Sequence, residues 1–252
     1  MHGCGVMSWP GGAHYEGQWH HSKRHGRGVL TESSDTSQHG VYDGEWQEDL
    51  RHGHGVWRAG PELSSGGHGA QGLGDVLVAF EGSWHSGHKH GAGLAKYADG
   101  SSYEGEYLQG LPHGHGVWRA GPESSEASDG HVAHGDVMVA FEGSWHSGHK
   151  HGAGLATYAD GSSYEGEYLQ GLPHGHGRVR WHDGTELAGE WVEGEQCGAS
   201  NVVFANGTQY DAEYCELLYS QKRSHAERAQ RASATRCEHN ALLAEALAKM
   251  AA

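Results

Sequence analysis

Aromatic, glycine and polar positions alternate at regularly recurring intervals along most of this chain. In the segment 15–19, Tyr-Glu-Gly-Gln-Trp, two aromatic residues and a glycine occupy every second position, with polar residues between them. Successive side chains of a β-strand point to opposite faces, so the aromatics would share one face and the polar residues the other. The alternation predicts a strand, and its recurrence predicts many strands of one kind.

Each of these strands is followed by a turn and then by a second short motif, His-Gly-x-Gly. The aromatic segment recurs at 15–19, 42–46, 80–84, 103–107, 141–145 and 164–168, with degenerate copies at 187–191 and 210–214. Pairs such as Asp99-Gly100 favour tight turns between strands. Each unit is therefore predicted to be a β-hairpin of about two dozen residues.

A larger duplication is superimposed on this repeat. Residues 75–116 match residues 136–177 except at Leu77, which corresponds to Met138, and at Lys96, which corresponds to Thr157. A pair of hairpins and its loop has therefore been copied as one block. Such fidelity indicates recent duplication rather than a particular function.

A hairpin of this composition cannot bury its aromatic side chains alone. The glycine between two aromatics leaves room for a neighbouring ring to lie over bare backbone, and hairpins stacked edge to edge would bury the rings in a ladder. The predicted fold class is mostly β: a single-layer, elongated, twisted antiparallel sheet of tandem β-hairpins over residues 1–218. A C-terminal α-helix is predicted over residues 219–252, which lack glycine and proline from residue 220 onward.

Three features depart from the regular repeat. The segment 2–5, His-Gly-Cys-Gly, is the second half of a unit, so either the array begins with an open edge strand or the chain starts upstream of Met1. Loops at about 33–40, 60–74 and 121–135 all leave the same edge of the sheet. They are interpreted either as segments that contact a partner or as tolerated surface insertions. The apolar stripe of the predicted helix would contact either the sheet or another chain through Leu242, Leu243, Leu247 and Met250.

Composition supports an open β array rather than a compact core. Hydrophobic residues make up 36% of the 252 residues, and 43 glycines accompany 9 tryptophans, 11 tyrosines and only 3 phenylalanines. The formal net charge is −15, and the segment after residue 218 carries +3, which leaves −18 on the rest. An acidic body should repel nucleic acid and anionic lipid and should favour a basic partner.

The sequence contains no catalytic motif, and we expect neither enzymatic activity nor a cofactor. Four scattered cysteines, no signal peptide and no long apolar run indicate a cytoplasmic chain.

Pairs such as His52 and His54 would place two imidazoles on one strand face. We expect the first histidine of each pair to pack beside the aromatics, and we predict no metal site. A pH response near 6.5 is expected from the 24 histidines.

The tandem motif, Tyr-Glu-Gly-x-Trp followed by His-Gly-x-Gly and Asp-Gly, resembles the MORN (membrane occupation and recognition nexus) repeat. Seven copies lie nearly in phase over residues 2–214. The resemblance implies an open trough with aromatics on its concave side. A stand-alone array with a helical tail resembles ciliary and axonemal members of the family, which implies a part in a large complex, with axonemal or cytoskeletal proteins or other MORN proteins as partners.

The first functional hypothesis is a non-catalytic scaffold that grips a partner segment in this trough, within a ciliary axoneme, a flagellum or another cytoskeletal assembly. An acidic rim would select basic residues of the partner through Glu16, Asp43, Glu81, Glu104, Glu142 and Glu165. The aromatic face would supply flat apolar contact through Tyr15, Trp19, Tyr42, Trp46, Phe80, Trp84, Tyr103, Tyr107, Phe141, Trp145, Tyr164, Tyr168 and Trp191.

Two alternatives follow from the same resemblance. One is a peripheral membrane tether that binds phospholipid, which the charge of the body opposes. The other is the targeting part of a larger MORN-bearing enzyme, such as a lipid kinase or a lysine methyltransferase. The first hypothesis predicts protein partners rather than nucleic acid or membrane.

Overall fold

The computed structural model describes residues 1–32, 39–60, 76–122 and 137–214. These residues form one open antiparallel sheet of sixteen strands whose order in space is their order in the sequence. The predicted fold class, a single-layer sheet of tandem hairpins, is confirmed. The predicted helix over 219–252, with its contact residues Leu242, Leu243, Leu247 and Met250, lies outside the described residues, as does most of the three long loops.

The strands are short and follow the aromatic and His-Gly-x-Gly segments in alternation. The first eight are β1 (Gly3–Ser8), β2 (His14–His20), β3 (Lys23–Thr31), β4 (Gly40–Gln47), β5 (Leu50–Ala59), β6 (Leu77–His85), β7 (His88–Tyr97) and β8 (Ser102–Leu108). The other eight are β9 (Leu111–Arg119), β10 (Met138–His146), β11 (His149–Tyr158), β12 (Ser163–Leu169), β13 (Leu172–Arg180), β14 (Glu186–Val192), β15 (Glu195–Val203) and β16 (Gln209–Tyr214).

Paired glycines hold the sheet in register along its middle. Gly105 of β8 lies opposite Gly116 of β9, and the same pairing recurs from hairpin to hairpin. A Cβ atom on Gly105 would lie 2.5 Å from the Cα atom of Gly116 and 2.7 Å from the carbonyl oxygen of His115. Only glycine fits at this position, and the Tyr103 ring covers the bare backbone instead.

The sequence pattern suggested a regular strand position for the first glycine of each His-Gly-x-Gly motif. The structure shows a different conformation there. Gly26, Gly53 and Gly114 have φ angles of 61°, 59° and 63°, in the left-handed region. The register shifts at this point, between Gly17 and Trp19 in the first full hairpin. The motif therefore builds a β-bulge, which glycine adopts without strain.

The two edges of the sheet use different turns. At one edge, the strands of each hairpin are joined by two residues that both have positive φ, such as Gln109 at 52° and Gly110 at 89°, as in a type I′ turn. At the other edge, Asp99 accepts hydrogen bonds from the backbone N–H (2.8 Å) and the hydroxyl (2.6 Å) of Ser101. The two edges therefore differ in the turn chemistry that joins their strands.

Candidate interaction site

All thirteen aromatic residues that the sequence predicts for one face lie on that face. They form a single chain of edge-to-face ring contacts that crosses the sheet from hairpin to hairpin. Tyr15, for example, contacts Trp19 of its own strand at 5.1 Å and Trp46 of the next hairpin at 5.5 Å between centroids. The order is Trp19, Tyr15, Trp46, Tyr42, Trp84, Phe80, Tyr107, Tyr103, Trp145, Phe141, Tyr168, Tyr164 and Trp191.

Most of this aromatic row is buried. Twelve of its members are between 0 and 7% exposed, and Trp191 is half-buried. The polar atoms of several rings are satisfied by backbone: Trp145 Nε1–H donates to the Gly116 carbonyl at 3.2 Å, and the Tyr103 hydroxyl donates to the Glu106 carbonyl at 3.1 Å. Burial raises the pKa of Tyr15 to about 12. These rings therefore bind the repeats to one another.

A row of cations covers the outer side of the aromatic row. The Arg24 guanidinium lies 4.2 Å from the centroid of Trp46, and the Arg51 guanidinium lies 5.1 Å from Tyr42. In two later hairpins a lysine takes this place, whereas Pro112 and Pro173 take it in the hairpins between and after them. Lys89 Nζ lies 4.9 Å from the centroid of Tyr107, and Lys150 Nζ lies 5.3 Å from that of Tyr168. Each cation stacks on two rings of neighbouring hairpins, so the cover extends the contact between repeats.

This burial limits what the aromatic row can offer to a partner. A ring that is less than a tenth exposed presents little area to another molecule, and the cations occupy part of the remainder. Direct partner contact by the thirteen aromatics stays a prediction. What the structure shows of them is packing between hairpins.

The six predicted acids lie on the opposite face from the aromatics. Each acid directly follows the first aromatic of its strand, so its side chain points to the other side of a one-layer sheet. The sequence-based prediction that acids form a rim around an aromatic trough is therefore wrong. All six side chains are exposed, and none forms a salt bridge within the described part of the chain.

These acids alternate with aliphatic residues in a straight row across eleven strands, from β2 to β12. Glu104 pairs with Val117, and Val117 pairs in turn with Glu142, so each acid has an aliphatic neighbour on the adjacent strand. We call this row the acidic stripe: Glu16, Val29, Asp43, Val56, Glu81, Leu94, Glu104, Val117, Glu142, Leu155 and Glu165. Sequence reasoning found the acids but missed the aliphatics, which stand one residue after each His-Gly-x-Gly motif.

The acidic stripe ends where the repeat degenerates. On β13, Arg178 takes the aliphatic position opposite Glu165. Arg178 and Arg180 lie 3.6 and 3.7 Å from the carboxylate oxygens of Glu186 on β14, so this acid is already paired. The row of unpaired acids that forms the stripe therefore ends with the regular repeats.

The histidines of the repeat also lie on the face opposite the aromatics, near the edge with the two-residue turns. Their rings contact one another across strands: His52 with His85 at 5.0 Å and His113 with His146 at 4.9 Å between centroids. The expectation that they pack beside the aromatics is wrong. The bulge at the following glycine and the alternation of side chains along the strand place these histidines on the face opposite the aromatics.

The MORN repeat family model matches the chain in seven segments, at residues 1–14, 15–33, 42–59, 80–102, 103–120, 141–163 and 164–186. This chain belongs to the MORN repeat family. The matched segments lie along β1 to β13 and end at the start of β14. These strands carry the whole acidic stripe and all of the aromatic row except Trp191, which lies on β14. The MORN repeats make the array a protein-interaction or membrane-associated module, of a family that is generally non-catalytic.

Curated relatives of this MORN array match it over about a third of its length. An 87-residue segment is 32% identical to the ALS2 C-terminal-like protein of Bos taurus, and covers 34% of this chain and 8% of that protein. Alsin of Homo sapiens matches over 87 residues at 32% identity, with 34% of this chain and 5% of Alsin covered. The match therefore spans less than a tenth of either relative.

Among solved structures, a SAS-4 (dCPAP) TCP domain in complex with a Proline Rich Motif of Ana2 (dSTIL) of Drosophila melanogaster aligns over 84% of this chain and 90% of that one. The TM-score is 0.32 at 9% identity, too low to support a conclusion. Within the four described segments of the MORN array, no helix is long and apolar enough to cross a membrane.

Proposed function

We propose that this MORN array is a non-catalytic scaffold that holds a basic, extended segment of a partner protein along its acidic stripe. The observation that supports the proposal is the row itself: six exposed acids without a salt bridge among the described residues, separated by five aliphatic side chains. Exposed acids in one line attract and orient a basic partner, and the aliphatics between them supply contact area once it arrives.

The spacing of the acids favours an extended segment. Adjacent strands lie about 4.8 Å apart, so acids on alternate strands are separated by about 9.6 Å. A polyproline II segment returns to the same side every three residues, after about 9.3 Å. A lysine or arginine at every third residue would then meet successive acids, and the two residues between them would flank the aliphatic position.

A matched pair of peptides and a matched pair of variants test the proposal. Binding of (Lys-Pro-Ala)6 to the full chain is measured by calorimetry, beside a peptide of the same composition with irregular lysine spacing. The double variant Glu104→Gln/Glu142→Gln removes two charges around Val117. The control Glu193→Gln/Glu195→Gln removes two exposed charges beyond the acidic stripe.

The proposal expects the regular peptide to bind more tightly than its irregular counterpart. It expects the Glu104/Glu142 variant to weaken binding about fivefold to tenfold, since two exposed ion pairs are lost and each contributes up to about 1 kcal/mol, and the control to leave binding within about twofold. Equal weakening by both variants would reduce the effect to net charge and contradict a specific site. Binding to phosphoinositide vesicles that the stripe variant leaves unchanged would favour the membrane-associated role instead.

A place for the scaffold in a ciliary axoneme or another cytoskeletal assembly stays a prediction from family resemblance, as do its cytoplasmic localisation and its membership of a large complex. The role proposed for the acidic stripe does not depend on the assembly, the localisation or the complex. A basic segment of stated spacing can be sought in any compartment.

A further inference from the structure

Four imidazoles and one carboxylate converge at the end of the first two hairpins. His20 at the end of β2 and His25 in β3 face each other at 5.3 Å between ring centroids. Glu48, from the turn between β4 and β5, reaches the same place from the next hairpin, with Oε1 at 4.0 Å from His25 Nδ1. The rings of His2 and His21 lie 4.7 and 4.2 Å from that of His20.

The inner atoms of this cluster lack partners. The Nδ1 atoms of His20 and His25 are shielded from solvent and form no hydrogen bond within the described part of the chain. A buried polar atom without a partner is rare and calls for an explanation. Lys23 holds Oε2 of Glu48 at 2.6 Å, which leaves Oε1 directed at the histidines.

The geometry points to a divalent metal site of the zinc type formed by His20, His25 and Glu48. One ligand atom from each of the three lies within 4.8 Å of the others. Two ligands of a tetrahedral zinc ion at about 2.1 Å lie about 3.4 Å apart, so small side-chain rotations bring the set into range. His2 or His21 can supply a fourth ligand, and imidazole with carboxylate is a usual zinc donor set.

The later repeats contain matched controls for this site. The cross-strand histidine pair recurs as His85 with His90 at 5.5 Å and as His146 with His151 at 5.6 Å. In those hairpins the turn position that corresponds to Glu48 is Gln109 or Gln170. The equivalence is structural, because the backbone N–H after each of these turn residues donates to the same place: Asp49 to the Arg24 carbonyl, Gly110 to Lys89 and Gly171 to Lys150.

Of the three proposed ligands, the carboxylate is the one that the two copies lack. A metal held there would join the turn of the second hairpin to the first hairpin, and would fasten the end of the array that has the open edge strand β1. This role is independent of partner binding along the acidic stripe.

Zinc titration of the untagged full chain by calorimetry, with Co²⁺ absorption as a second readout, tests the site. The wild type should bind one zinc ion more tightly than any background of surface histidines. Glu48→Gln, which reproduces the chemistry of the copies, should weaken that site at least about tenfold. His20→Gln should do the same, and it is conservative because Gln47 occupies this position in the next repeat.

The reverse change supplies the decisive arm. Gln170→Glu should create a second tight zinc site at His146 and His151, with a second equivalent in the titration and a doubled Co²⁺ signal. Circular dichroism of each variant checks that the array is folded. A wild type that binds no more tightly than Glu48→Gln, or a Gln170→Glu variant that gains nothing while it remains folded, would overturn the assignment.

Discussion

At the scale of single residues, Lys89 has an unusual position. Its stem packs on the aromatic row, and its ammonium group lies over Phe80 and Tyr107 at 5.5 and 4.9 Å from the ring centroids. Arg24, which occupies this place in the first repeat, has Asp49 beside it at 3.2 Å, whereas no acid lies beside Lys89 in the described part of the chain. Burial lowers the pKa of Lys89 to about 8.

This shift predicts a specific pH dependence of stability. In the unfolded chain the lysine keeps its ordinary, higher pKa, so between about pH 8 and 10 the unfolded state binds more protons and the free energy of unfolding rises with pH. Lys89→Met keeps the stem and removes the charge. We expect it to stabilise the array by about 1–2 kcal/mol at pH 7, after the loss of the cation–π contact, and to flatten the rise.

Urea unfolding at pH 7, 8.5 and 10 measures this prediction, with Lys96→Met as the control because Lys96 is exposed. Lys89→Met should be more stable than the wild type at pH 7, and the difference should shrink toward pH 10. A destabilised Lys89→Met at pH 7 would mean that the ring contacts outweigh the burial of the charge.

At the scale of the hairpin, each glycine pair leaves the room in which an aromatic ring packs on the backbone of two adjacent strands. Gly105→Ala would place a methyl group against the backbone of β9, where neither strand can move without breaking the register. We expect this change to cost at least about 2 kcal/mol, as overpacking in a rigid site does. The lower midpoint of thermal or urea unfolding is the measurement.

The last hairpin supplies the control for that change. Gly189 occupies the same strand position, but its partner is Ser200, and a Cβ atom on Gly189 would meet the nearest atom, Ser200 Cβ, at 3.1 Å. Gly189→Ala should therefore be much milder than Gly105→Ala. Equal effects of the two substitutions would show that the close glycine contact is not what limits the hairpin.

The hairpin is also the scale at which the sequence was most informative. Strand positions followed from the alternation of aromatic and glycine residues, because a period of two fixes which side chains share a face. The bulge at Gly26 and its equivalents was missed, because a glycine in a strand pattern looks the same whether it makes room for a ring or adopts a positive φ.

At the scale of the whole molecule, the array has two faces with different tasks. On one face, the aromatic row and its cations hold the hairpins together; on the other, the acidic stripe is exposed over eleven strands. The sequence-based hypothesis placed the acids and the aromatics in one trough, although they occupy adjacent strand positions and therefore opposite faces. The sequence predicted that stacking buries the rings, but it did not predict that cations from neighbouring hairpins lie over them, such as Arg51 over Trp84.

We propose that a partner segment lies on the acidic stripe and not on the aromatic row. A photo-crosslinking residue placed at Val117, in the middle of the stripe, or at Lys89, over the aromatic row, tests it with the peptide (Lys-Pro-Ala)6. We expect crosslinks from position 117 and few or none from position 89. Crosslinks from position 89 alone would contradict it.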